Sequence, residues 1–143
     1  MLERFHAYVM NFPALAAAGG TLQQAFQVEN SYRFEMMKLS AFVYDANGLG
    51  ISESVLPRLS VLLQDGASSQ QLTSAEVPLR SIFGTGELPF VLPAKHIVLG
   101  GATFLATVFN RHTVTAFSAV LVFSGRLLPT GAPQSPTGRV RRR

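Results

Sequence analysis

The sequence predicts an all-β protein: an antiparallel β-sandwich of the jelly-roll type, with about eight strands and flexible arms at both ends. Short apolar segments follow one another closely, and Gly, Pro and Asn residues separate them. Helical periodicity is almost absent, and no internal repeat is evident. The 143 residues suffice for one domain with a sizeable core.

Two strands in the first half are predicted from residues that alternate between apolar and polar. Residues 21–29 and 58–66 both alternate in this way, and Asp65-Gly66 turns the chain after the second. The apolar faces consist of Leu22, Phe26 and Val28 in the first strand and of Leu59, Val61 and Leu63 in the second. Such alternation is typical of strands with one face against the core and the other toward water.

Residues 32–45 are predicted to form a longer strand. The segment ends in aromatic and β-branched residues, and Asn47-Gly48, a pair that favours a tight turn, follows it. Because Met36-Met37-Lys38 favours a helix, a helix over 33–43 is the alternative.

The second half is predicted to contain short extended pieces followed by longer strands. Several short pieces touch a proline, which belongs at sheet edges or strand starts. The pieces lie around 70–74, 78–83 and 90–92, and the longer strands cover 96–100, 101–110 and 113–128. Between the last two strands, Arg111-His112 is predicted to occupy a solvent-facing hairpin corner.

The last strand is apolar on both faces. Phe117 and Leu121 lie on one face, whereas Val120 and Val122 lie on the other. A small antiparallel sandwich has no helix to cover the outer face of such a strand, so we expect a partner subunit to cover it. Cover by the N-terminal segment of the same chain is the alternative.

The chain is expected to divide into three regions. Residues 1–20 are an apolar N-terminal arm, residues 21–128 are the sandwich, and residues 129–143 are a flexible Pro/Gly-rich basic tail. A signal peptide over 1–20 is the alternative, although Glu3 and Asn11-Phe12-Pro13 are atypical of one. No segment has the roughly 20 uninterrupted apolar residues of a membrane helix, so no membrane partner is expected.

The net charge of +4 belongs to the tail. Four of the 12 Lys and Arg residues are Arg139, Arg141, Arg142 and Arg143, so residues 1–138 carry eight basic and eight acidic residues. The sequence of the domain therefore does not indicate the basic surface of a nucleic-acid-binding protein, and nucleic acid is not expected as a partner. We expect the tail to dock on an acidic protein surface, with phosphate binding or simple solubilisation as alternatives.

No catalytic or metal-binding residues are predicted, and neither a cofactor nor a small-molecule substrate is expected. The chain has no Cys and three His, and only His6 has a carboxylate nearby in sequence, at Glu3. The stretch 84–89 lacks the Lys-Ser/Thr of a phosphate loop. An enzyme on a β-sandwich scaffold, testable at His112 and Glu87, is one alternative function.

A module that binds a receptor or a glycan on a virion or cell surface is the other alternative. Sugar sites on β-sandwiches commonly present exposed Trp or Tyr rings, and this chain has no Trp and three Tyr. Its 11 Phe residues are more typical of a core or a dry interface.

The C-terminal two-fifths, residues 88–129, carries a pattern of turn residues between strands. The matching positions are Pro89, Phe90, Pro93, Gly100, Asn110 and Gly125. This pattern resembles a group of small tailed-bacteriophage virion proteins, the jelly-roll cement or decoration proteins of the capsid. The Arg-rich end is not part of the resemblance.

The resemblance implies a non-enzymatic structural protein, made in the host cytoplasm and located in the virion. It would form dimers or trimers and bridge neighbouring copies of the major capsid protein, which would stabilise the capsid lattice. The residues predicted to form protein interfaces are Phe5, Tyr8 and Phe12 in the arm, Val114, Val120 and Val122 in the last strand, and Arg139, Arg141, Arg142 and Arg143 in the tail.

Overall fold

Alternating apolar residues give most of the described chain an extended conformation. The computed structural model of the protein describes residues 4–16, 19–45, 59–66, 70–73, 75–112 and 116–130. In these ranges the elements are β1 (Arg4–Leu15), β2 (Thr21–Gln27), β3 (Tyr32–Tyr44), β4 (Leu59–Asp65), β5 (Gln70–Gln71), β6 (Val77–Pro78), α1 (Leu79–Ile82), β7 (Phe90–Val98), β8 (Thr103–Asn110) and β9 (Phe117–Pro129).

The strands form two antiparallel sheets. The first sheet has the order β1-β9-β3-β7, and the second has the order β2-β8-β4-β5, with β6 also beside β4. The pairs are nested along the chain: β1 with β9, β2 with β8, β3 with β7, and β4 with β5 and β6. Nested pairs wound into two sheets are the jelly-roll arrangement, so the predicted all-β antiparallel sandwich is confirmed.

The core lies between the two sheets and is rich in phenylalanine. Phe104 of β8 and Phe123 of β9 are fully buried, and their ring centres are 5.6 Å apart. Phe26 of β2 lies 5.4 Å from Phe104 and 5.5 Å from Phe123. Burial of each such ring contributes about 1.5–3 kcal/mol, so this cluster holds the two sheets together.

The N-terminal segment differs from the predicted arm over 1–20. Its described part contains β1, which pairs with β9 from Arg4↔Leu127 to Phe12↔Ala119 and forms an edge of the first sheet. β1 therefore extends this sheet sideways and does not cover its outward side. At the other end β9 reaches Pro129, and the Thr130 N–H donates to the Ser31 carbonyl at 2.7 Å.

Two local predictions are also corrected. Residues 79–82 form a single helical turn where an extended piece was expected over 78–83, and the Phe83 N–H donates to the Leu79 carbonyl at 3.0 Å. The turn carries the chain from the second sheet toward the first, a change of direction that hydrophobic alternation does not reveal. The pieces predicted around 90–92 and 96–100 are parts of one strand, β7.

Candidate interaction face on the outward side of the first sheet

Strand register decides which side chains share the outward side of the first sheet. Residues directly opposite one another in an antiparallel sheet lie on the same face, with their Cβ atoms about 4.5–5.5 Å apart. We call the outward-pointing residues of β1, β9, β3 and β7 the outer face. Its apolar members include Phe5, Val9, Phe42, Val91, Val120 and Val122.

One half of the outer face is an apolar patch. Val9 lies opposite Val122, and Val120 lies opposite Phe42 in the adjacent row. Val9 is 56% exposed and Phe42 is 39% exposed, whereas Val120 and Val122 are half-buried. These four side chains form one continuous apolar surface, which we call the valine patch.

The other half of the outer face is charged. Glu35 of β3 is 1% exposed, and the Arg126 guanidinium of β9 donates to its Oε1 at 2.9 Å. The Lys95 ammonium of β7 donates to the same oxygen at 3.4 Å. A buried carboxylate needs such partners because it has lost its water. This cluster therefore links three strands next to the valine patch.

The structure brings three of the predicted interface residues to the outer face. Phe5 is 74% exposed, and Val120 and Val122 belong to the valine patch. Val114 and the four tail arginines, Arg139, Arg141, Arg142 and Arg143, lie outside the described residues.

The prediction that Phe12 belongs to an interface is corrected, because its side chain is fully buried in the core and cannot contact a partner of the folded protein. Tyr8 also faces inward, where its ring stacks on Phe26 at a centre distance of 4.1 Å. Burial, and next the nearby Glu29 carboxylate, raise the pKa of the Tyr8 hydroxyl. The alternation of His6, Tyr8, Met10 and Phe12 is the signal that could have placed this segment in a sheet.

The hairpin corner at Arg111-His112 is held by structural contacts. The Arg111 guanidinium donates two hydrogen bonds of 2.6 Å to the Glu76 carboxylate and lies 4.9 Å from the centre of the Phe109 ring. The hydrogen bond from Arg111 is the main reason that the pKa of Glu76 is lowered. The His112 N–H donates to the Asn110 Oδ1 at 2.9 Å.

Sequence reasoning missed a histidine–carboxylate pair between the sheets. His96 Nε2 of β7 lies 2.7 Å from Asp65 Oδ2 of β4, and Asp65 is buried. The two residues are 31 positions apart, so local spacing does not reveal the pair. The available signal was the alternation of β4, which places Asp65 on the same inward face as Leu63 and Val61.

In the described ranges, no three His, Asp or Glu side chains come together as metal ligands. The same ranges contain no helix that is long and apolar enough to cross a membrane. Comparison of the chain with family models, with curated proteins and with solved structures finds no match.

Proposed function

We propose that this chain is a non-enzymatic structural protein of a tailed-bacteriophage virion, which binds the capsid lattice and stabilises it by bridging major capsid subunits. The outer face is the surface that makes these contacts, with capsid subunits or with a second copy of the chain. The observation that carries the proposal is the valine patch, which lies beside the charged cluster of Glu35, Arg126 and Lys95.

An apolar centre with a polar border is the usual composition of a protein interface. The valine patch supplies the centre, and Arg126, Lys95 and Lys38 lie toward one border. Phe5, opposite Arg126, and Val91, opposite Lys38, are further exposed apolar residues of the outer face. Burial of apolar area across subunit boundaries raises the free energy needed to separate the subunits.

The jelly-roll topology and the turn-residue pattern of residues 88–129 support the capsid as the location. Asn110 and Gly125, two positions of that pattern, have structural roles. The Asn110 side-chain amide donates to the Leu15 carbonyl at 3.0 Å, and a Cβ at Gly125 would overlap the backbone of β3. At these two positions the pattern therefore reflects how strands are joined and paired, as expected if the chain has the same fold as the decoration proteins.

Shells of the phage that encodes this chain, assembled with and without it, test the proposal. We expect the complete shells to release their contents at a higher temperature and to carry the protein at regular lattice positions in electron micrographs. Equal heat resistance of the two shells, or absence of the chain from the particles, would contradict the proposal.

A single charge in the valine patch tests the surface. Val122→Lys places an ammonium in the centre of the patch and is expected to reduce retention on shells at least tenfold, because an unpaired charge would be buried in the contact. Leu105→Lys, on the outward side of the second sheet, is the matched control and should leave retention within about twofold. Equal retention of the two variants would exclude the outer face.

The basic tail adds a second test, because its predicted contact is electrostatic. Removal of residues 131–143 is expected to weaken binding to shells more at low salt than at high salt. Co-sedimentation with shells at several salt concentrations measures this difference. A loss that does not change with salt would exclude an electrostatic role for Arg139, Arg141, Arg142 and Arg143.

A further inference from the structure

A cavity of about 320 Å³ lies between the two sheets, on the side where β7 and β5 are the edge strands. Irregular pairing leaves this side of the sandwich open. Leu39 pairs with Phe90 and Met36 pairs with His96, so β7 has no registered partner in β3 over residues 92–95. Opposite it, β5 has only two residues.

Most of the cavity wall is apolar. Leu39 and Leu63 form its fully buried part, from β3 and β4. Ile82, Phe90, Leu92 and Leu72 complete the apolar lining, and the exposed Ala94 lies at its border. A cavity of this kind favours an aliphatic chain, because both surfaces lose contact with water on binding.

Three polar residues also line the cavity, Lys95, Thr73 and His96, and the Lys95 ammonium is paired with Glu35. Thr73 is 9% exposed, and its Oγ1 is buried without a hydrogen bond to any described residue. A buried hydroxyl without a partner destabilises the protein, and a ligand oxygen would supply the partner.

His96 is another polar group on the wall. Its Nε2 lies 2.7 Å from Asp65 Oδ2, and this hydrogen bond holds the ring in place. His96 lines the cavity and makes no other hydrogen bond among the described residues. In many proteins a carboxylate that is hydrogen-bonded to one ring nitrogen of a histidine sets the role of the other nitrogen in ligand binding.

We propose that this cavity binds a short aliphatic molecule with one terminal oxygen-bearing group, a hydroxyl or a carboxyl. The apolar wall encloses the chain, and Thr73 and His96 hydrogen-bond the oxygen. The volume suits roughly ten non-hydrogen atoms, at about 30 Å³ each as for water in the liquid. This site is separate from the outer face and does not depend on the proposed function.

Octanoate and 1-octanol are the probes, since each has an eight-carbon chain and one oxygen-bearing end. Titration of the isotope-labelled full chain, followed in ¹H–¹⁵N spectra, is expected to show saturable shifts of the Thr73 and His96 amides. We expect Kd values of about 10 µM to 1 mM for ligands of this size. The response to the two probes separately tells whether an alcohol or an acid is preferred.

Thr73→Val distinguishes a binding role from a structural one. The variant keeps the shape of the side chain and removes the hydroxyl, so we expect about three- to tenfold weaker binding and a higher Tm of the ligand-free protein. A structural hydroxyl would lower the Tm instead. Thr103→Val, on the outward side of the second sheet, is the matched control and should change neither quantity.

Ala94→Trp tests the position of the site. Ala94 is exposed at the cavity border, so the indole should obstruct the entrance without disturbing the core, and binding should be lost. Absence of saturable binding by both probes would overturn the proposal. Unchanged affinity in Thr73→Val and Ala94→Trp would overturn it equally.

Discussion

Gly125 lies where β9 passes beside the bulge of β3, and it has no room for a side chain. A Cβ on this residue would overlap the Glu35 carbonyl oxygen and crowd the backbone at Met36. Both obstacles are main-chain atoms of a paired strand, so they cannot move without loss of the register between Gly125 and Met36. Only glycine allows the two strands to approach this closely.

Gly125→Ala is therefore expected to destabilise the fold by about 1–3 kcal/mol, a range typical of steric overpacking. Urea denaturation monitored by circular dichroism measures the change. Ser124→Ala, one residue earlier and less buried, is the control and should stay within about 0.5 kcal/mol. Similar values for the two variants would show that the close approach can relax.

Asn110 is a second position where the residue type is set by main-chain contacts. Its amide is fully buried, donates to the Leu15 carbonyl at 3.0 Å and accepts from the His112 N–H at 2.9 Å. It thereby joins the end of β8 to the end of β1. Loss of the Asn110 side chain removes both bonds and leaves the buried Leu15 carbonyl without this donor.

Asn110→Ala should cost about 1–3 kcal/mol, the usual penalty for such a loss. The free energy of unfolding and the hydrogen exchange of the His112 amide report this change together. Stability within about 0.5 kcal/mol of the parent chain, or unchanged protection of that amide, would contradict a linking role for Asn110.

At the level of elements, the Glu76–Arg111 pair connects the chain before β6 to the hairpin corner after β8. The hydrogen bond from Arg111 lowers the pKa of Glu76 below its usual value, so the folded state favours the ionised carboxylate. The pair therefore stabilises the fold above the pKa that Glu76 has in the unfolded chain. This stabilisation disappears as the pH falls through the lower pKa of the folded state.

Glu76→Gln is expected to lower the Tm by a few degrees at pH 7, and this difference should shrink as the pH falls through the lowered pKa of Glu76. Thermal unfolding at a series of pH values measures the difference. Glu87→Gln, an exposed carboxylate in the loop before β7, serves as the control. A Tm difference between Glu76→Gln and the parent that does not shrink as the pH falls would contradict this origin.

Most of the long strands could be predicted from the sequence, including β8 within 101–110 and β9 within 113–128 apart from its last residue. β2 and β4 follow their alternation, and the long segment 32–45 forms β3. β1 was missed because a segment before the first clear turn was interpreted as an arm, although its alternation matches a strand. The turn α1 and the His96–Asp65 pair depend on how distant strands meet, which local spacing does not encode.

For the whole molecule, the pairing of β1 makes the N-terminal segment part of the fold. Met10, Phe12 and Leu15 place buried side chains in the core, and β1 also covers one edge of β9. The expectation of a flexible apolar arm came from the sequence composition of residues 1–20, which reports apolar content but not where it packs.

Removal of residues 1–20 is expected to abolish cooperative unfolding or to cause aggregation, because it exposes apolar core and an unpaired strand edge. Size-exclusion chromatography and circular dichroism measure this outcome. Phe5→Ala changes the exposed side of the same strand and should leave the Tm almost unchanged. A truncated chain that unfolds cooperatively near the Tm of the parent would restore the arm interpretation.

The apolar character of both faces of β9 was visible in the sequence, and it correctly indicated an apolar outward side at Val120 and Val122. Which neighbours complete the patch was not visible. Val9 and Phe42 join it only because β1 and β3 flank β9, an arrangement that follows from the topology.

The nested pairing of strands has a consequence for how the protein is made. β9 lies between β1 and β3, so the first sheet lacks a central strand until residues 117–129 have been synthesised. Until then the earlier strands of this sheet belong to a partly ordered chain. Most of the strand pairs that form afterwards join residues far apart in sequence. Chains of this kind fold in milliseconds to seconds once all of their strands are present. The interval before β9 arrives is thus the period in which the apolar strands most need protection from association with other chains.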